Sequence, residues 1–212
     1  MTGMEGSGQP VNPRQNGLDV SARIIRILSV PPVLVILLSL VLYFSDPAVF
    51  GGSVWRPVLM CLFLALIPSL GYPLQLLIPT WKEQGRPLQR KLAFVFSVTG
   101  YMAGLIYSLV SGTTRTERLV YFSYVITVLF LIGFNVLIRI RSSGHAAGIA
   151  GPLCILVIAV SPWLCLVCIP IWLLSLWASV RLKRHTIREY LLGTACSLGA
   201  IGCAYLLLQL FP

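Results

Sequence analysis

Only two histidines occur in this chain, His145 and His185, and a carboxylate, Glu189, follows the second by four residues. Imidazole is the side chain best suited to attack an electrophile or to move a proton near neutral pH. Residues four apart on a helix share a face, so Glu189 can hold one ring nitrogen of His185 and leave the other free. A neutral nitrogen attacking phosphorus, a carboxylate on the opposite N–H and a second histidine protonating the departing oxygen together make a phosphoryl-transfer site.

The neighbouring residues suit that chemistry. Arg141, Ser142, Ser143 and Gly144 precede His145, while Arg181, Lys183, Arg184, Thr186 and Arg188 surround His185. Guanidinium groups and the free N–H groups at a helix start both favour phosphate. Two alternatives stand beside this reading. The histidines can simply mark helix boundaries, and Thr186-Ile-Arg-Glu189 also matches a capping box, in which Glu189 reaches back to the backbone N–H of Thr186. The capping and orienting roles of Glu189 are compatible.

What must position these residues is a helical hairpin. Forty residues separate the histidines, and the intervening apolar stretch breaks at Ser161-Pro162, so it returns to its starting side and brings both histidines to one face. A single helix would send them to opposite faces.

Those helices belong in a membrane. Hydrophobic residues make up 57% of the 212, charged residues 10%, and mean hydropathy is +0.88, against roughly 25% charged residues in soluble domains. Crossing a bilayer takes about 20 apolar residues. Runs of that kind lie at Ile27 to Phe44, Pro57 to Ile78, Leu92 to Ser111, Leu119 to Ile138, Ala146 to Val160, Trp163 to Val180 and Ile187 to Leu210, the fifth being short. Their continuous apolarity argues for helices over a barrel. The expected fold is all-α, a polytopic transmembrane helix bundle of six to seven spans. Residues 1–22 are expected to form a disordered polar tail without secretory-signal features, and residues 23–212 a single transmembrane domain.

The net charge is +10. With these spans, Arg56, Arg115 and Arg118 fall on one side and the other thirteen of the sixteen basic residues on the opposite side. The positive-inside rule assigns the thirteen, with both histidines and the amino terminus, to the cytoplasm. Such a rim also attracts anionic membrane lipids. Nucleic acid is not expected as a partner, because no soluble module presents the charge.

The six acids (Glu5, Asp19, Asp46, Glu83, Glu117 and Glu189) are scattered, so no metal or other cofactor is expected. All six cysteines fall in apolar runs and read as packing residues, Cys165 and Cys168 included. Gly193, Ser197, Gly199 and Cys203 read as a close-packing helix face.

Two stretches resemble motifs of the type 2 phosphatidic acid phosphatase superfamily. Ser142-Ser143-Gly144-His145 is similar to its Pro-Ser-Gly-His motif, and Ala178-Ser179 through His185 to Glu189 is similar to its motif of Ser-Arg, five residues, His, three residues, Asp. Trp177-Ala178, Arg184-His185-Thr186 and Leu192-Gly193 resemble a divergent bacterial branch, so the resemblance covers about Arg139 to Gly193. It implies a metal-independent phosphohydrolase of the bacterial plasma membrane that acts on a lipid phosphate through a phosphohistidine intermediate. His185 would be the nucleophile, Glu189 its orienting carboxylate, and His145 the general acid, with Ser143 and Gly144 donating to phosphate oxygens.

Two departures from the pattern bear on phosphate binding. Ser179 stands where the family has an arginine six residues before the nucleophile, leaving Arg181 and Arg184 as nearby replacements. The family's first motif is echoed only by Lys82 and Arg86-Pro87, so Arg86 or Arg90, with Arg141, become the expected phosphate ligands. Phosphatidate, phosphatidylglycerol phosphate and prenyl phosphates or diphosphates are all admissible substrates. Rival readings are a catalytically weakened relative that binds lipid headgroups or a partner protein, and a small transporter. Intramembrane charge, which would favour transport, is nearly absent from the runs.

Overall fold

The computed structural model describes residues 13–210, with side-chain surroundings from Gly17 onward. Among the described residues there is no strand. The main helices are α1 (Pro13–Leu28), α2 (Pro31–Ser45), α3 (Trp55–Ser69), α4 (Gly71–Leu77), α5 (Gly85–Val110), α6 (Arg115–Leu137), α7 (Gly144–Ala159), α8 (Pro162–Arg181) and α9 (Ile187–Leu210).

Local chemistry sets the boundaries. Pro31 and Pro32 open α2, where a missing N–H costs nothing, and the extended Val30 before them bends α1 from α2 by 53°. Thr114 and Glu117 cap α6 reciprocally, with Glu117 N–H donating to Thr114 Oγ1 at 3.2 Å and Thr114 N–H donating to Glu117 Oε2 at 2.9 Å. Ser161 and Pro162 break the chain between α7 and α8, and these two helices form the expected hairpin.

Among the described residues four helices, α5, α6, α8 and α9, are long and apolar enough to cross a membrane, and six spans result if each bent pair, α1 with α2 and α3 with α4, counts as one. This is a four-to-six range where the sequence suggested six to seven. Outside that range stands α7, the run already short in the sequence, which is 16 residues long and packs against α2, α6, α8 and α9. Gly148 makes this possible: a Cβ there would lie 2.7 Å from Pro31 of α2. Around α7, Leu34, Leu38, Leu64, Tyr121, Ile149, Ile155 and Ile201 form the core. Large apolar side chains such as Phe44, Val110 and Trp163 are exposed on the outside. A soluble domain would bury such groups, whereas a lipid-facing surface leaves them on the outside.

Two expectations change. The tail expected to be disordered over residues 1–22 is helical from Pro13, because Asp19, Ala22, Arg26 and Ser29 recur at helical spacing and meet α8; residues 1–12 lie outside the described residues. The small-residue face of α9 runs through Gly193, Ser197, Ala200 and Ala204, all buried, while Cys203 is exposed. That set follows the helical repeat more closely.

Candidate functional site

Both histidines sit at one end of the bundle. His145 is the second residue of α7, one position ahead of the apolar run that begins at Ala146, and His185 lies in the turn between α8 and α9. The α8–α9 turn is held by Ser179, whose carbonyl accepts from the N–H groups of Arg184 at 3.0 Å and His185 at 3.5 Å. Lys183, in the same turn, has φ 51°, and Arg139, in the turn before α7, has φ 60°. Left-handed conformations cost a non-glycine residue about 1 kcal/mol or more. Each site loop therefore carries local strain that its surroundings must hold.

The loops are joined through α9. Ser143 N–H donates to the Glu189 carbonyl at 2.9 Å, and Gly193 lies so close to Ser143 that a Cβ would overlap its carbonyl oxygen. On the outer side, Asn135 bridges to the loop: its Nδ2 donates to Ser142 Oγ at 2.6 Å and its Oδ1 accepts from Ser142 N–H at 2.9 Å.

Glu189 has three partners. Its Oε2 lies 3.3 Å from His185 Nδ1 and accepts from Thr186 N–H at 3.2 Å, while its Oε1 lies 3.5 Å from Arg141 Nε. Glu189 N–H in turn donates to Thr186 Oγ1 at 3.2 Å. The capping box and the imidazole contact coexist. Since a carboxylate only accepts, it favours the tautomer with the proton on Nδ1 and a free lone pair on Nε2. Burial lowers the pKa of His185 below its usual 6.5, and the Glu189 contact opposes that shift without cancelling it.

His145 is more enclosed. Its Nε2 is buried and has no hydrogen-bond partner among the described residues. Burial first, then the charges of Arg26 and His185, push its pKa down to about 3. A buried nitrogen without a partner is costly, and here it lines a cavity in which a ligand could satisfy it.

Two adjoining cavities meet at this end. A polar chamber of about 520 Å³ is lined by Arg26, Arg86, Arg90, Arg141, Arg184, His185, Glu189 and Ser142, with Tyr72, Gln89 and Asn135. A mostly apolar cavity of about 680 Å³ lies beside it, lined by residues including Pro31, Leu64, Phe94, Tyr124, Val128, Leu131, Ile155, Gly144 and His145. Arg26, Tyr72, Arg90 and Asn135 line both. Among the described residues five guanidinium groups thus face a single carboxylate in the polar chamber, an arrangement suited to an anion carrying more than one charge.

Most of the residues expected at the site are brought together: His145, His185, Glu189, Arg86, Arg90, Arg141, Arg184 and Gly144 all line one cavity or the other. Two do not. Arg181 turns away to pair with Asp19 at 2.8 Å, because it lies on the α1-facing side of α8. Ser143 is fully buried, and its hydroxyl caps α7 by accepting from Ala146 N–H at 3.2 Å. Arg26, Tyr72 and Asn135 were not expected; for Arg26 the available signal was its place in the Asp19, Ala22, Ser29 repeat. Compared with known proteins, the chain matches no family, no curated protein and no solved structure.

Proposed function

We propose that this chain is a membrane phosphohydrolase acting on an amphiphilic phosphate ester. One observation carries the reading: a chamber of guanidinium groups around a carboxylate-held imidazole opens onto an apolar cavity. A charged headgroup fits the first and a hydrocarbon chain the second. Nε2 of His185 attacks the terminal phosphorus as its P–O bond to the leaving group breaks, and protonated His145 passes its proton to the departing oxygen, an alcohol's in a monophosphate ester and a phosphate's in a diphosphate. Water then attacks the phosphohistidine, giving up a proton to His145, and the N–P bond breaks to release inorganic phosphate. Arg86, Arg90, Arg141 and Arg184 stabilise the transferring group electrostatically.

The basic rim supports a cytoplasmic face for the site, and the resemblance to a bacterial branch of the type 2 phosphatidic acid phosphatases supports the reaction class and a bacterial plasma membrane. Phosphatidate, phosphatidylglycerol phosphate and prenyl mono- and diphosphates fit this chemistry equally. The test is phosphate release by detergent-purified protein from that panel, with chelator present and His185→Ala alongside. Release that survives chelation and disappears in the variant is expected. A folded protein that binds these lipids with unchanged affinity in His185→Ala, and releases no phosphate, would instead be a headgroup-binding protein.

A further inference from the structure

Of the five arginines that line the polar chamber, Arg26 alone is not exposed. It is half-buried on α1, lines both cavities where they meet, and makes no ion pair among the described residues. Its one direct partner is neutral: Nη1 donates to Ser179 Oγ at 3.2 Å. A half-buried charge with no opposite charge within ion-pair distance is one that an anion in the chamber would stabilise. Its field reaches both histidines, since its charge contributes to lowering the pKa of each.

Ser179 explains how the arginine comes to be there. The serine is fully buried at the end of α8, and its carbonyl holds the turn that carries Arg184 and His185. Its small side chain leaves room for a guanidinium from another helix, and its hydroxyl provides that guanidinium with an anchor. One register step along, Ser29 Oγ donates to Ser175 Oγ at 3.3 Å, fixing α1 against α8. With one guanidinium nitrogen on Ser179, the remaining donors of the fork are free to face the chamber.

We propose that Arg26 is the principal guanidinium holding the phosphoryl group, supplied by α1 to the place that Ser179 leaves open on α8. Ser179 is its positioning residue. The proposal rests on the phosphohydrolase reading for the identity of the ligand, but it is tested by binding alone. It makes α1 an essential part of the site, because the phosphoryl group then sits between α1, α5 and the α8–α9 turn.

The experiment is calorimetric titration of the detergent-purified full chain with inorganic phosphate, with a thermal melt of each variant. Arg26→Ala is expected to weaken binding about tenfold or more, the loss of a charge-assisted contact, without a matching loss of melting temperature. Arg26→Gln, which can still reach Ser179 but carries no charge, should weaken it similarly, and it answers the question if the alanine variant fails to fold. The relocation variant Arg26→Ser with Ser179→Arg should bind more tightly than Arg26→Ala, because the guanidinium is returned from α8.

Unchanged phosphate affinity in folded Arg26→Gln overturns the proposal even if the wild type hydrolyses lipids. Phosphate binding that depends on Arg26 in a wild type without turnover upholds the proposal and removes the catalytic reading. No phosphate binding by folded wild type overturns both.

Discussion

The carboxylate of Glu189 stands 3.3 Å from Nδ1 of His185 while it also accepts from the backbone N–H of Thr186. One side chain therefore caps a helix and orients an imidazole, and the two roles separate by substitution. Glu189→Gln keeps an oxygen for the Thr186 N–H but loses the charge that stabilises a phosphorylated or protonated ring. Turnover should fall about a hundredfold or more, with a melting temperature close to wild type. Glu189→Ala should lose turnover and about 1 kcal/mol of stability as well. Phosphate release and thermal melts of both variants check this; full turnover in Glu189→Gln would leave Glu189 as a cap alone.

His145 and His185 should fail in different ways. If His145 protonates the leaving oxygen, His145→Asn should slow hydrolysis of alkyl phosphates about a hundredfold or more. It should slow hydrolysis of an aryl phosphate, whose leaving group needs little protonation, far less. His185→Ala should be inactive toward both. Equal losses on the two substrates in His145→Asn would remove the proton-donor role.

The pH profile follows from burial. Both imidazoles have pKa values below 6.5 in the free protein, His145 at about 3. The bell in kcat/KM, which reports the free enzyme, should therefore peak below pH 6.5. Arg26 contributes to both shifts, so Arg26→Gln should move the profile toward higher pH. Stability has its own sign. Between about pH 3 and 6.5 the unfolded chain binds more protons at His145 than the folded one, so this contribution to stability rises with pH across that window and is flat above it. A kcat/KM optimum above pH 7 would contradict the assignment.

Much of this site was legible before the fold was known, for physical reasons that also mark where legibility ends. The hairpin break at Ser161-Pro162 places His145 and His185 at one end whatever the packing, and the four-residue step from His185 to Glu189 needs only a helix start. Hydropathy scores apolar residues alike whether they face lipid or protein, so it marks α7 as apolar, and only packing shows Ile149 and Ile155 to be interior. Arg181 and Arg184 look interchangeable in sequence, yet three residues at a helix end turn one toward Asp19 and the other into the chamber. Arg26 is far from both histidines along the chain and reaches them only because α1 lies across α8.

That division among the arginines is testable. Arg181 pairs with Asp19 in a setting open to solvent, and such pairs are worth about 1 kcal/mol or less. Arg181→Ala should leave kcat/KM within about twofold of wild type and lower stability by no more than that amount. Arg86→Ala and Arg90→Ala each remove a chamber guanidinium and should cost about tenfold or more in kcat/KM, the value of a charged hydrogen bond. If Arg181→Ala proved as damaging as Arg90→Ala, its pairing with Asp19 would not be its main role.

Gly193 tests whether the two loops depend on each other. A Cβ at this position would overlap the Ser143 carbonyl oxygen, and Ser143 N–H is at the same time bonded to the Glu189 carbonyl. Gly193→Ala must therefore push the start of α7 away from α9, a backbone displacement in a tightly packed region that costs about 1–3 kcal/mol. Since His145 follows Ser143 by two residues while His185 and Glu189 are carried by the other loop, the shift separates His145 from His185. Activity should fall by more than the melting temperature alone accounts for, because displacements of about 1 Å at a reacting centre can cost about a hundredfold. Gly202→Ala, on the same helix where a Cβ would meet open space, is the control and should be neutral. Comparable activity in the two variants would mean that the contact between Ser143 and Gly193 does not set the distance between the histidines.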